Sequence, residues 1–199
     1  GVDLEVGGTV EDQGDAFGDL GTLLILIVIL VYIVMATQFE SLKFPFIIMF
    51  TIPFAFTGVF LALWMTSTPL SLIALIGAIM LVGIVTKNGI VMVDYMNLLI
   101  ERGSGVFDAV IAGGKSRLRP VLMTSFTTIL GMLPLAIGTG AGSETWQPMG
   151  IAVIGGLTFS TILTLFIVPV LYSILVNRSQ RKEREKLARL SAEHQASKH

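Results

Sequence analysis

Long apolar segments alternate with short polar ones along the chain, and five of them are long enough to cross a bilayer, which takes ~20 residues. They cover approximately residues 20–37, 44–65, 70–100, 120–137 and 150–176. Pro53, Pro134 and Pro169 lie inside these segments, where neighbouring helices can satisfy the carbonyls that a proline leaves unpaired. Pro120 stands where a helix can begin. The pattern predicts an all-α membrane protein, a bundle of five transmembrane helices.

The basic residues orient this bundle. Twelve of the thirteen lysines and arginines fall in the polar segments of one side: Lys43, Arg102, Lys115, Arg117, Arg119, Arg178, Arg181, Lys182, Arg184, Lys186, Arg189 and Lys198. The segments of the other side, residues 1–19, 66–69 and 138–149, contain neither lysine nor arginine. Because basic loops stay in the cytoplasm, we expect the N-terminus outside and the C-terminus in the cytoplasm.

The two ends of the chain are polar. Val2, Leu4 and Val6 alternate as in a strand, and Thr9-Val10-Glu11-Asp12 resembles a capping box. A short interfacial helix is therefore expected at about residues 10–17. A single strand has nothing to pair with here, so we interpret the chain as part of a longer polypeptide. Residues 177–199 mix charges at helical spacing, which favours a solvated cytoplasmic tail, with partner or lipid binding as the alternative.

Composition narrows the class of protein. Hydrophobic residues make up 53% of the 199 and charged residues only 14%, against about 25% charged in soluble domains. The absence of cysteine excludes disulfides and thiolate metal sites, and both histidines lie in the tail. A formal net charge of −1 argues against a nucleic-acid partner. We expect a multi-pass membrane protein without a cofactor or bound metal.

Lys87 is the one basic residue that orientation does not explain, because it interrupts the third apolar segment. A lysine within hydrocarbon costs at least ~2.5–3.5 kcal/mol unless it is paired or hydrated. Asp94 is seven residues away, ~10 Å along a helix, which is too far for a direct salt bridge. Lys87 is therefore either neutral or paired with a carboxylate elsewhere. Ion or proton coupling is the favoured role, and structural pairing is the alternative.

Other polar residues near the predicted spans have two interpretations each. Asp94 is either a plain interfacial acid or part of a proton relay. The hydroxyls of Thr124, Ser125, Thr127 and Thr128 either pack helices together or pass a proton to Lys87 through water. Arg117 either marks orientation at the cytoplasmic edge or gates proton exit.

Three stretches together resemble the resistance-nodulation-division efflux transporters of the hydrophobe/amphiphile, or multidrug, type. They are ATQFESLKFPFIIMFTIP at residues 36–53, GIVTKNGIVMVDY at 83–95 and SRLRPVLMTSFTTILGMLPLAIGTGAGSE at 116–144. The resemblance covers essentially the whole chain and identifies it as the C-terminal membrane half of such a transporter. Residues 1–19 would then end a periplasmic domain, residues 20–176 would form the transmembrane domain, and residues 177–199 the cytoplasmic tail.

The resemblance implies a twelve-helix protomer in the bacterial inner membrane. Its implied partners are the N-terminal half of the same polypeptide, two further copies in a homotrimer, a periplasmic adaptor, an outer-membrane channel, the lipid bilayer and amphiphilic small-molecule substrates. The proton motive force would drive an antiporter, with protons as the coupling ion.

The resemblance also implies a proton relay. Lys87 matches a lysine that pairs with two aspartates of the N-terminal half, Thr124 a relay threonine, and Arg117 an arginine at the proton path. Asn88 follows the lysine as in the family, and Asp94 matches an acidic position. Heavy-metal pumps are expected to lack the Lys-Asn pair.

Without those aspartates the chain alone is expected to be inactive. A different class of function is a membrane scaffold or export accessory subunit of the same superfamily, without drug transport. An intramembrane enzyme is the third class, but the spans contain neither two facing acids nor a serine with a base. We therefore expect no enzymatic activity.

Overall fold

The computed structural model describes the backbone of residues 8–138, 140 and 142–196, and the side chains between Asp12 and Arg178 within these ranges. The predicted strand at residues 2–6 lies outside them. The described part is helical and contains no strand. Its helices are α1 (Gly8–Gln38), α2 (Lys43–Met49), α3 (Ile52–Met65), α4 (Leu72–Glu101), α5 (Val106–Ile137) and α6 (Ser143–Ala196).

Five helical segments of this structure are long and apolar enough to span a membrane, which confirms the predicted bundle. They are Asp12–Gln38, Lys43–Met65, Leu72–Glu101, Val106–Ile137 and Ser143–Arg178. The second segment is broken into α2 and α3 at Phe50-Thr51. Pro53 explains the break, because its ring has no N–H for the carbonyl four residues earlier. Next to the break, the Thr51 hydroxyl donates to the Ile48 carbonyl at 2.6 Å.

Three helix boundaries differ from the prediction. Residues 10–17 are not a separate interfacial helix but the beginning of α1. The last span starts at Ser143 rather than residue 150, and its helix continues into the predicted tail. Pro120 lies inside α5 rather than at its start. The helix begins earlier because Val106, Ala109 and Gly113 are buried and hold residues 106–119 in helical form.

Helix α6 lies at the centre of the bundle and packs against α3, α4 and α5, whereas α1 contacts only α2 and α4 among the stronger helix pairs. Close packing depends on small residues, as in other membrane helices. A Cβ atom on Gly155 of α6 would collide with the Cβ of Ala62 and lie 2.9 Å from the Gly58 carbonyl oxygen of α3. The α3–α6 pair therefore has no room for a side chain at this position.

Two apolar clusters form the core. One joins α3, α4 and α6 around residues such as Val59, Leu81 and Leu157. The other joins α1, α2, α4 and α6 around Met35, Ile48 and Tyr172, at the end that the orientation rule assigns to the cytoplasm. These clusters fix α4 against α6 and leave another face of α4 open, and Lys87 lies on that open face.

Candidate functional site

Lys87 lies close to the middle of α4, fifteen residues after its start at Leu72 and fourteen before its end at Glu101. Its side chain is exposed at the surface of the described bundle. At ~1.5 Å per residue, about 20 Å of helix extends on either side of it. Lys87 therefore lies deep within a membrane-spanning helix rather than at its end.

A groove of about 550 Å³ between α4 and α5 brings Lys87 together with other predicted site residues. The lining residues are Ile84, Lys87, Asn88, Pro120, Met123, Thr124, Thr127 and Thr128. No carboxylate is among them, and within the described side chains Lys87 makes no hydrogen bond or ion pair. The groove thus presents one cation, one amide and three hydroxyls to whatever covers it.

The hydroxyls of the groove are bonded to their own helix. Thr124 donates to the Val121 carbonyl at 3.0 Å, and Thr128 donates to the Thr124 carbonyl at 2.9 Å. Thr127 donates to the Met123 carbonyl at 2.8 Å. A hydroxyl that donates one hydrogen bond still has lone pairs to accept another. Each of the three oxygens can therefore accept a hydrogen bond from Lys87 or from an intervening water.

Ser125 has a different role from the three threonines. Its hydroxyl lies 2.9 Å from that of Thr161 on α6, and both residues are buried. Of the four hydroxyl residues considered on this helix, Ser125 is thus the one that joins α5 to another helix. The packing interpretation therefore applies to Ser125. Thr124, Thr127 and Thr128 line the groove and remain candidates for the proton relay.

Arg117 does not line the groove. Its guanidinium carbon lies 4.7 Å from the centroid of the Tyr95 ring on α4, which is cation–π geometry. Its Nε is buried and has no hydrogen-bond partner within the described residues. Seven residues, or ~10 Å of helix, separate it from Thr124. The structure therefore places Arg117 at the α4–α5 contact, between the groove and the start of α5.

Asp94 lines a second, smaller groove, of about 270 Å³, rather than the groove that contains Lys87. Its lining residues are Gln38, Phe39, Glu40, Asp94, Asn97, Leu98 and Glu101.

The Tyr172 hydroxyl of α6 donates to the Asn97 side-chain oxygen. Sequence reasoning missed this contact, as it missed Tyr95 and Thr161. The sequence could have indicated these residues, because polar side chains within an apolar span often hydrogen-bond to another helix.

Comparison with known proteins gives a consistent result. The model of the AcrB/AcrD/AcrF family matches residues 1–176. The chain is 38% identical over 182 residues to the swarming motility protein SwrC of Bacillus subtilis, covering 91% of this chain. It is 39% identical over 177 residues to the cobalt-zinc-cadmium resistance protein CzcA of Cupriavidus metallidurans, covering 89%. It is 42% identical over 163 residues to the multidrug resistance protein MdtC of Erwinia tasmaniensis, covering 81%.

A solved structure agrees with these relatives. The crystal structure of a heavy metal efflux pump, in its crystal form II, superposes with a TM-score of 0.77 at 32% identity, covering 84% of this chain. The chain spans 17% of that protein, and 16–17% of each of the three relatives. The similarity therefore concerns one portion of much longer proteins.

Proposed function

Because the chain belongs to the AcrB/AcrD/AcrF family of resistance-nodulation-division efflux transporters, we propose that it is the proton-coupling part of the membrane domain of a proton-driven efflux antiporter. The observation that carries this proposal is the groove between α4 and α5, where Lys87 lies with the Thr124 hydroxyl and without an acidic neighbour. A cation at this depth is costly unless a negative charge or water compensates it. We propose that carboxylates of another segment of the transporter cover the groove.

The coupling step then follows from electrostatics. With the carboxylates ionised, Lys87 is held as their counter-ion. Protonation removes the negative charge, so the ion pair breaks and the helices that it held together can separate. Thr124 accepts and donates a proton between water and the carboxylates. Asn88 offers both a donor and an acceptor beside the lysine, which orients the side chains of the groove.

Arg117 and Asp94 lie outside this groove, and we assign them to the cytoplasmic path of the proton. The Arg117 charge stacked on Tyr95 lies between the groove and the basic side of the chain. A positive charge there raises the barrier to proton passage, so the position of the Arg117 side chain can gate proton exit. Asp94 borders a polar groove from which a proton can reach the cytoplasm.

We propose amphiphilic small molecules as substrates. The Lys87-Asn88 pair supports this class, because its resemblance is to multidrug transporters. The relatives include both classes by name, since MdtC is a multidrug resistance protein and CzcA a cobalt-zinc-cadmium resistance protein. The substrate experiment must therefore include metal ions.

We propose that the complete transporter is a homotrimer in the bacterial inner membrane, working with a periplasmic adaptor and an outer-membrane channel. It carries out no enzymatic reaction and needs no cofactor besides the coupling proton. A scaffold or export accessory role without transport is the alternative. We retain this alternative because SwrC is named for swarming motility rather than for resistance.

The test uses the complete polypeptide that contains this chain, reconstituted in liposomes with a pH-sensitive dye inside and an imposed pH gradient. An amphiphilic cationic dye added as substrate should accelerate the collapse of the gradient, whereas Zn²⁺ or Co²⁺ should not. Acceleration by the metal ions alone would overturn the substrate class. No acceleration by any compound would overturn proton coupling and favour the scaffold.

A further inference from the structure

The first fourteen residues of α5, Val106–Arg119, form a helical segment with two distinct faces. On one face Val106, Ala109 and Gly113 are buried. A Cβ atom on Gly113 would lie 2.6 Å from Cγ of Met96, so this face contacts α4 closely. The segment is therefore anchored to the bundle along one side, and its other side is exposed in the described part of the chain.

Large apolar side chains occupy the other side. Phe107 is 71% exposed, Ile111 40% and Leu118 46%. Their spacing of four and seven residues places them along one stripe of the helix. Exposed apolar side chains in a row on a helix are typical of a surface that meets lipid or protein.

Basic side chains lie beside this stripe. Lys115 and Arg119 are both exposed and four residues apart, so they are neighbours on the helix surface. Lys115 also follows Ile111 by four residues, and Arg119 adjoins Leu118. Between Arg102 and Arg119 the sequence has four basic residues and one acid, Asp108 in the first turn of α5. Of these four, Lys115 and Arg119 border the stripe, so its border carries net positive charge.

The depth of these charges matches the inner headgroups. Arg119 precedes the end of α5 at Ile137 by eighteen residues, ~27 Å of helix, and Lys115 precedes it by ~33 Å. The hydrocarbon core is ~30 Å thick. With the end of α5 at the outer edge of this core, Lys115 and Arg119 lie where the cytoplasmic leaflet has its phosphates.

We propose that the membrane end of this surface, formed by Lys115, Leu118 and Arg119, binds an anionic phospholipid of the cytoplasmic leaflet. Ile111 and Phe107 lie ~6 Å and ~12 Å farther from the membrane centre than Lys115 and are not part of this site. Its phosphate accepts charge-assisted hydrogen bonds from Lys115 and Arg119. Its acyl chain extends from the phosphate toward the membrane centre past Leu118. Charge complementarity selects this occupant, because basic residues beside the membrane attract anionic lipid and gain little from a zwitterionic one.

The experiment places a photo-crosslinking p-benzoylphenylalanine at position 118 in the complete polypeptide that contains this chain. The protein is reconstituted in equimolar phosphatidylglycerol and phosphatidylethanolamine and irradiated, and the adducts are identified by mass spectrometry. Adducts with phosphatidylglycerol should exceed those with phosphatidylethanolamine by about threefold or more. The double variant Lys115→Gln/Arg119→Gln should lower this ratio to about one.

The matched control is Arg178→Gln, which removes one exposed positive charge from α6 and should leave the ratio unchanged. Both variants must have the same oligomeric state and the same helical content as the parent protein. Equal labelling of the two lipids in the parent protein would overturn the proposal, as would a ratio that survives the double substitution. Adducts with residues 177–199 or with a second copy would show that protein covers this surface instead.

Discussion

Lys87 of α4 and Thr124 of α5 line the same groove, although 37 residues separate them in the sequence. The chain leaves the membrane and re-enters it between them, so neither helix alone contains the site. Their meeting depends on the α4–α5 contact, where Met96 packs against Gly113. The groove thus contains both a cation and a hydroxyl that can donate and accept hydrogen bonds.

Thr124→Val tests the hydroxyl directly. Valine keeps the shape and removes the oxygen, so proton-driven transport by the complete transporter should slow by about tenfold or more. Thr158→Val is the matched control, because Thr158 is also exposed and donates to its own helix, to the Ile154 carbonyl at 2.7 Å. Transport rates are measured in liposomes with equal amounts of protein. Equal rates in the two variants would remove Thr124 from the relay.

The Ser125–Thr161 hydrogen bond is expected to couple α5 to α6. Each of Ser125→Ala and Thr161→Val should lower the free energy of unfolding by ~1 kcal/mol. Because the two hydroxyls bond to each other, the double variant should lose less than the sum, by ~0.6 kcal/mol as is typical inside membranes. The free energy of unfolding of the parent, the two single variants and the double variant is measured in mixed micelles with increasing dodecyl sulfate. Strict additivity would mean that the 2.9 Å contact contributes no coupling.

Gly155→Ala tests the close approach of α3 and α6. The added Cβ would meet the Ala62 Cβ and the Gly58 carbonyl, both fixed to backbone, so the helices must separate. The expected loss in the free energy of unfolding is about 1–3 kcal/mol.

Gly131→Ala is the control for this variant, since apart from its chain neighbours and its own helix backbone no atom lies within 4 Å of the Cβ position there. Alanine favours the helix by up to about 1 kcal/mol relative to glycine, so Gly131→Ala should keep or raise stability. The same dodecyl sulfate titration compares them. If Gly155→Ala unfolds at the same detergent fraction as Gly131→Ala, the packing described for α3 and α6 is wrong.

The number of membrane helices could be predicted because hydrocarbon admits no unpaired backbone, so apolar length alone indicates a span. Helix ends were harder to predict. Pro120 suits a helix start, but the start of α5 is decided by the burial of Val106, Ala109 and Gly113 against neighbouring helices. Such contacts join residues far apart in the chain, and the local pattern does not contain them.

The candidate site, too, could be predicted from the sequence only in part. Lys87 could be identified because a cation within hydrocarbon needs a cause, and the resemblance pointed to Asn88 and Thr124, which do line its groove. Asp94 shares a helix with Lys87, yet Gln38 and Glu40 join it in another groove. Spacing along α4 gives a residue's direction but not which helix or loop lies opposite it. The stacking of Arg117 on Tyr95 was missed for this reason.

The central claim is that the charge of Lys87 couples protons to transport. Lys87→Met removes the charge at similar length, so the complete transporter should still assemble but should lose substrate-dependent proton flux. Lys43→Met is the control, because it removes a lysine that does not line the groove. Both are measured in liposomes with an imposed pH gradient, alongside the parent protein. We predict flux at the background level for Lys87→Met and near the parent level for Lys43→Met. Parent-like flux in Lys87→Met, with normal assembly, would contradict the account.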